Sequence, residues 1–333
     1  MIRYLQNHQI NYQYWDACIE ASAQRLVYAL SWYLDVVAPG WAALVEEQEH
    51  GYKAVMPLPV YQKFGLSYIN QPFFCQQLGI FGVTDEINTA AFLALALQKF
   101  PLISRYSFNT GNTQEIQVKQ NANLQVFTYA THHLDLNRSY EAIYQQYTRD
   151  RKINIKRSKK ARLQIIQSTD VEPLIFLFKA DAAFRIPGGV APAAYDILRQ
   201  LYTNLAQRGF VILLYTLTQA GEIDAGGIFL NYGNKIIYLF SAASIAGRRR
   251  SGRSLLIDHL IKAFAGQPFI FDFESPPSAV DAIVHVYQGF GSEPVPYFGI
   301  SYNNLPAPFK LVKKVRQFLY QRVISTFRPK PTQ

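Results

Sequence analysis

Residues Gly226 to Ala265, GGIFLNYGNKIIYLFSAASIAGRRRSGRSLLIDHLIKAFA, leave few folds open. Two apolar runs rich in β-branched and aromatic residues, Gly226–Asn231 and Lys235–Ser241, flank a Tyr232-Gly233-Asn234 turn and read as paired strands. A loop dense in glycine and arginine follows. A helix is expected from Arg253 to Ala265, with Leu255, Leu256, His259, Leu260 and Ala263 on one apolar face. Such a strand–loop–helix junction gathers unpaired backbone N–H groups at the positive end of a helix dipole. It is built to hold an anion, and the arginines strengthen it.

The rest of the chain supplies the context. At 333 residues and 49% hydrophobic, it is long enough for two medium domains. Its net charge of +10 suits nucleic acid, an anionic cofactor or an anionic membrane surface. The excess is uneven: Arg149–Arg162 holds eight basic residues and one acidic, and Lys310–Lys330 holds seven basic and none acidic. The N-terminus is polar and aromatic, without the apolar core of a signal peptide, and no apolar run is long enough to span a bilayer. A cytoplasmic protein with two buried free thiols, Cys18 and Cys75, is the expectation.

In chain order, helices are expected at Tyr14–Ser22 and Val27–Val37, then a hairpin, Trp41–Glu47 with Tyr52–Leu58, around His50-Gly51. A helix at Glu86–Lys99 precedes strands at Ser104–Phe108 and Leu124–Tyr129. One long helix, Tyr140–Lys160, is expected behind a cap at Asn137 or Ser139. Its first part is aromatic and its second part basic. A strand at Gln164–Gln167, helices at Val171–Ala183 and Pro192–Arg208, and a strand at Phe210–Thr216 lead into the opening stretch. Beyond it come a strand at Pro268–Phe273, a helix at Ser278–Tyr287, a strand at Pro296–Tyr302 and a basic amphipathic helix at Phe309–Thr326. This is an α/β (α+β) pattern: mixed, mainly antiparallel sheets flanked by helices, with the second half repeating the plan of the first.

That element order resembles the GNAT acetyltransferase superfamily, whose pyrophosphate loop reads Arg/Gln-x-x-Gly-x-Gly/Ala before a helix. Here Arg249-Arg250-Ser251-Gly252-Arg253-Ser254 fits, with Ser254 in place of glycine or alanine. The whole chain resembles the duplicated FemAB-like transferases. The basic segment His133–Arg162 and the closing run Phe271-Asp272-Phe273-Glu274-Ser275 with Tyr287-Gln288-Gly289-Phe290-Gly291 carry this, although Ser275 stands where glycine is usual. The resemblance implies two tandem GNAT-like domains. Residues 1–135 would be a degenerate copy, and 136–333 the second domain, with a linking basic helix at 139–162 and a terminal helix at 309–326.

It also implies an N-acyltransferase that moves an acyl group from acyl-CoA (acetyl-CoA) to an amine of a small molecule or a peptidoglycan precursor. Arg249, Arg250, Gly252, Arg253 and Ser254 would hold the donor phosphates. A base must take the proton of the amine, and Glu274, Glu222 and Asp224, each at a strand end, are the candidates. Tyr238 and Tyr297 are the candidate acids for the leaving thiolate. Neither Val171–Arg208 nor any other segment is long and unbroken enough for a coiled-coil tRNA arm, which places aminoacyl-tRNA second as donor. A non-catalytic relative that only binds is the third reading, and the terminal helix admits a peripheral membrane contact. His259 reads as a core histidine. His132-His133 and Asp135 alternate faces without a third convergent ligand, so no metal is expected.

Overall fold

In a computed structural model, residues 1–84, 87–112, 122–186, 188–276 and 281–306 are described. The chain begins with β1 (Ile2–Leu5), α1 (Tyr12–Ala21) and α2 (Ser31–Val37). The Asn11 side chain accepts from the Tyr14 N–H and so caps α1, meeting one of the donors a helix start leaves unpaired. The expected hairpin forms from β2 (Ala42–Gln48) and β3 (Gly51–Leu58), antiparallel with Leu44 opposite Met56. Then come β4 (Val60–Lys63), β5 (Leu66–Asn70), β6 (Phe81–Gly82), α3 (Thr89–Lys99) and β7 (Leu102–Ser107).

The strand expected at Leu124–Tyr129 continues to Asp135 as β8 (Leu124–Asp135), because its residues up to His133 pair on one side and His133, Leu134 and Asp135 pair on the other. The single helix expected over Tyr140–Lys160 is two, α4 (Tyr140–Gln146) and α5 (Arg149–Lys160). Ser139 caps the first and Thr148 caps the second, its Oγ1 accepting from Arg151 N–H at 3.4 Å. Extended backbone at Tyr147, φ −58° and ψ 132°, makes the break. After β9 (Gln164–Gln167), helices α6 (Glu172–Asp181) and α7 (Pro192–Gln207) lead to the hairpin strands β10 (Val211–Leu217), β11 (Ile223–Tyr232) and β12 (Lys235–Ala243). The chain continues as α8 (Ile245–Arg250), α9 (Gly252–Phe264), β13 (Ile270–Asp272), α10 (Asp281–Gln288) and β14 (Glu293–Asn303). The terminal helix expected at Phe309–Thr326 lies outside the described residues.

Two sheets result. One is four-stranded and antiparallel, β1-β2-β3-β6, and the other is a ten-stranded mixed sheet, β4-β5-β7-β14-β8-β13-β12-β11-β10-β9. The large sheet contains two parallel contacts between named strands, β5 with β7 and β12 with β13. A helix bridges each: α3 between β5 and β7, and the α8–α9 pair between β12 and β13. This is the repeat seen in the element order. At the centre two strands are exchanged. β8 follows β7 in sequence but β14 lies between them, and β14 follows β13 but β8 lies between those.

Side chains alternate across the second-half strands, as the two-residue period of a strand requires. Ile228, Leu230 and Ile237 join the large core shared with the first half, α6 and α7, whereas Phe229, Ile236 and Tyr238 join a second core under α4 and α9. A bulge in β12 interrupts the alternation: Ile228 faces Phe240 while Phe229 faces Tyr238. Leu239 and Phe240 consequently both pack against the first core.

Candidate active site

The segment read as a loop between Ser241 and Arg253 is helical. The Ser244 side chain caps α8 by accepting from Gly247 N–H at 2.9 Å, and a left-handed Ser251 (φ +63°) turns the chain into α9. Both glycines are required by close approach rather than by the turn. A Cβ on Gly247 would meet the Asp224 carbonyl oxygen at 2.0 Å, and one on Gly252 would meet Thr216 Oγ1 at 2.8 Å and Ala225 Cβ at 3.0 Å. The α8–α9 junction is thereby pressed onto β10 and β11, and no side chain caps the first turn of α9. Its free N–H groups are the positive end of a thirteen-residue helix.

That helix end faces a cavity of about 460 Å³. Among the described residues, four arginines line it, Arg151 and Arg157 from α5, Arg248 from α8 and Arg253 from α9, and no aspartate or glutamate does. Ile257, Ile283 and Val286 form an apolar wall, with Tyr238 and Tyr287 beside it. Arg151 is almost fully buried, and burial pushes its pKa down against the opposing pull of Asp150. Its Nη1 donates to Ser254 Oγ at 3.2 Å, which gives the serine at the last loop position a partner. Arg248 is tethered to the Ala243 carbonyl at 2.9 Å and to Asp181 at 3.6 Å. Arg253 is exposed and has no hydrogen-bond or ion-pair partner among the described residues.

Of the residues expected to hold phosphates, Arg253 and Ser254 line this cavity, and Gly252 shapes it. Arg250 points elsewhere. It grips the buried Asp224 through two bonds of 2.5 Å, clamping the end of α8 to the start of β11. Arg249 is exposed and outside the lining, and Glu222 is exposed at the turn before β11. The structure therefore brings Asp224 together with Arg250 and not with the cavity. Arg151, Arg157 and Arg248 were not singled out by sequence, although the charge density of residues 149–162 pointed to the first two.

The strands that carry the remaining candidates part at the cavity. β12 and β13 pair from Lys235–Ile270 to Ile237–Asp272 and no further. Tyr238, the first residue of β12 beyond that point, donates from its hydroxyl to Ser241 Oγ at 2.6 Å. Glu274 lies just past β13 in a left-handed conformation (φ +47°). Burial pushes its carboxyl well above the ordinary value, the Asp272 charge adds to this, and Tyr28 and the Gln76 backbone pull the other way. Its Oε2 has no hydrogen-bond partner among the described residues. Tyr297 in β14 is buried with an unpartnered hydroxyl, and burial, then the Glu274 charge, raises its pKa.

Around this carboxyl stands a polar cluster that sequence reasoning set aside. Burial alone would raise the Asp272 pKa, but His133 at 3.2 Å and the Thr131 hydroxyl at 2.6 Å outweigh it and bring the group to about 2. The Asp272 Oδ1 also accepts from the Glu274 N–H at 2.9 Å. His132 Nδ1 and Ser275 Oγ are 2.7 Å apart, and burial lowers the histidine pKa. From the first half, Gln76 Nε2 donates to the Ser275 carbonyl at 2.6 Å. Tyr287 links this cluster to the arginine cavity: it lines the cavity and its ring lies 4.8 Å from Phe273.

His259 is exposed rather than a core residue. The adjacent Asp258 faces inward and accepts from the Tyr140 hydroxyl at 2.9 Å, while burial pushes its carboxyl up. Among the described residues no group of three or more His, Cys, Asp or Glu is placed to hold a metal ion, and no helix is long and apolar enough to cross a membrane.

Residues 145–274 match the family model of the acetyltransferase (GNAT) domain. No curated protein matches the chain. Among solved structures, FemX is similar with a TM-score of 0.61 and 12% identity, covering 97% of this chain and 100% of FemX. A tandem GNAT protein from the clavulanic acid biosynthesis pathway gives 0.53 at 10% identity, covering 92% and 100% of the two chains. The C-terminal domain of a putative lysylphosphatidylglycerol synthetase from Agrobacterium fabrum gives 0.50 at 10% identity, covering 92% and 96%. Identities this low speak for the fold alone: residues 145–274 are similar to a GNAT acetyltransferase domain, and the chain as a whole shares the fold of FemX and of the tandem GNAT protein.

Proposed function

We propose that the chain is a FemAB-type transferase that moves an acyl group from a phosphate-bearing donor to an amine. The observation that carries this is the cavity lined by four arginines at the uncapped start of α9, opening where β12 and β13 part. Phosphate oxygens would be met by the backbone N–H groups of Gly252, Arg253 and Ser254 and by the guanidinium groups of Arg253, Arg157 and Arg248. The reacting carbonyl would then lie between the parted strands. The nitrogen of the amine attacks the carbonyl carbon, the bond to the leaving oxygen or sulfur breaks, and Glu274 takes the ammonium proton. A carboxyl raised by burial is a stronger base than one in water. Tyr238, at the cavity wall, would return a proton to the leaving group. The division is residues 1–135 and 136–333, with the first part contributing Tyr28 and Gln76 to the Glu274 site.

An aminoacyl ester of tRNA is the donor this reading favours. The exposed cations of α5 and its end, Lys156, Lys159, Lys160 and Arg162, run on past the cavity, with more charge than a few phosphates require. Helices α6 and α7 pack on the body of the protein, so the RNA would be held along α5. Acyl-CoA is the second donor, favoured by a cavity of only about 460 Å³.

Equilibrium binding of aminoacyl-tRNA and of acetyl-CoA to the full chain at several salt concentrations tests both readings. For the RNA donor, log K falling steeply with log salt is expected, with a weaker dependence after Lys156→Ala plus Lys159→Ala. Binding of acetyl-CoA alone, unaffected by those changes, selects the second donor. Binding of neither, or binding untouched by Arg253→Ala plus Arg157→Ala, overturns the proposal.

A further inference from the structure

We propose that an apolar chamber on the opposite face of β12 from the arginine cavity seats the aryl or short alkyl group of the amine, so that the acceptor is a lipophilic primary amine. This rests on the transferase reading above. The chamber has a volume of about 200 Å³, and among the described residues no charged side chain lines it. Phe74 comes from the first half, Phe178, Ile186, Ala194 and Leu198 from α6, α7 and their connection, and Phe240 from β12. Phe240 lies 4.8 Å from Phe178 and 6.0 Å from Phe74, ring centre to ring centre. An apolar protein cavity of roughly 150 Å³ is large enough to take up benzene. This one accepts a phenyl ring or a chain of similar bulk.

Its place in the fold ties it to the transfer chemistry. The bulge in β12 sends Tyr238 to the arginine cavity and Phe240 to the chamber, so one strand forms a wall of both. The segment after β5 does the same on the other side. Phe74 stands in the chamber wall, and two residues later Gln76 holds the Ser275 carbonyl beside Glu274. Two residues span at most about 7 Å of chain. The Gln76 backbone also pulls on the Glu274 carboxyl, so the chamber wall and the carboxyl are supported by one short segment.

The backbone at Phe74 is a second, independent sign. It adopts φ +56°, a conformation costly for an aromatic residue, and the buried Tyr33 hydroxyl holds its carbonyl there. Two large apolar side chains, Phe73 and Ile186, are left 58% and 41% exposed at the lining. The charge distribution divides the acceptor in the same way. Its uncharged part meets an uncharged chamber, and its ammonium meets the carboxyl.

Calorimetric titration of the full chain with phenethylamine, n-hexylamine and ethanolamine tests the assignment without any donor present. Phenethylamine or hexylamine should bind at least tenfold more tightly than ethanolamine, and Ala194→Leu, which fills the chamber, should remove that preference. Should Ala194→Leu fail to fold, Leu198→Ala enlarges the chamber and should shift the preference toward bulkier aryl amines. Equal affinity for all three amines, or a preference that survives Ala194→Leu, overturns the proposal. So does competition by a fatty-acyl thioester in place of the amines, which would give the chamber to the donor. The Arg253→Ala variant separates the two readings. Loss of donor binding in that variant with amine binding intact leaves the chamber assignment standing, whereas wild-type protein that binds donor but shows no amine preference defeats only the chamber.

Discussion

Replacing Gly247 by alanine should disable the site from beneath. The new Cβ would sit 2.0 Å from the Asp224 carbonyl oxygen and 2.7 Å from its carbon, where ordinary contact begins at 3.4 Å. Both neighbours are backbone and cannot swing away, so α8 must rise from β11 by about 1.4 Å. That carbonyl also accepts the Ser244 N–H at 3.0 Å, and the lift would break this bond. Overpacking of this kind costs about 1–3 kcal/mol, and the lost hydrogen bond adds about 1 kcal/mol. Together they should lower the melting temperature of a 333-residue chain by roughly 3–6 °C. The displaced α8 carries Arg248 and leads into Ser251, both in the cavity lining, so donor affinity should fall at least tenfold. Gly266→Ala is the control: φ is +79° but a Cβ would meet nothing within 4 Å, so only about 1 kcal/mol of backbone strain and an unchanged donor affinity are expected. Differential scanning fluorimetry and a donor titration measure both effects. A Gly247→Ala protein that melts and binds as wild type would refute the close-approach argument.

The two arginines of the loop should separate cleanly. Arg250→Ala leaves the buried Asp224 carboxylate unpaired and should destabilise by about 1–3 kcal/mol in urea titrations, discounted because the guanidinium is partly exposed. Arg253→Ala should leave stability unchanged and weaken donor binding about 10- to 100-fold; the reverse pattern would return Arg250 to the phosphate site. For Glu274, whose folded pKa is raised, the stabilising contribution is complete below the unfolded value of 4.5 and is lost as pH rises through the folded one. Glu274→Gln should therefore gain stability relative to wild type on going from pH 4 to pH 8, and a difference independent of pH contradicts the raised carboxyl. Asp272 has the opposite sign: lowered from 3.8 to about 2, it stabilises by roughly 2 kcal/mol above pH 4 and loses this as pH falls toward 2. Acid titration of Asp272→Asn should lack that component.

The sequence carried the local elements well because their signals are local. Two apolar runs around Tyr232-Gly233-Asn234 could only pair with each other, and β11 and β12 do so with Tyr232 opposite Lys235. Pro192 sits at the first turn of α7 and Ser139 at the cap of α4, as their chemistry requires. The break at Tyr147-Thr148 was hidden, since the residues on both sides favour helix and only the docking of Thr148 against Gly289 fixes it. The assignment of His259 failed by one position of helix register: inward-facing Asp258 is stabilised by Tyr140, 118 residues away. Arg250 was misplaced for the same reason, because Asp224 lies on another strand. No periodicity in the sequence announces the exchange that puts β14 between β7 and β8, nor the meeting of Gln76 with Ser275. Each depends on contacts between residues about 200 apart.

The central claim is that the start of α9 holds the donor phosphates. Backbone amide NMR of the full chain, titrated with the aminoacyl-tRNA acceptor stem or with CoA, tests it most directly. Large shifts are expected at the amides of Gly252, Arg253 and Ser254, abolished at high salt for the RNA. Saturable binding that leaves those three amides unmoved would contradict it.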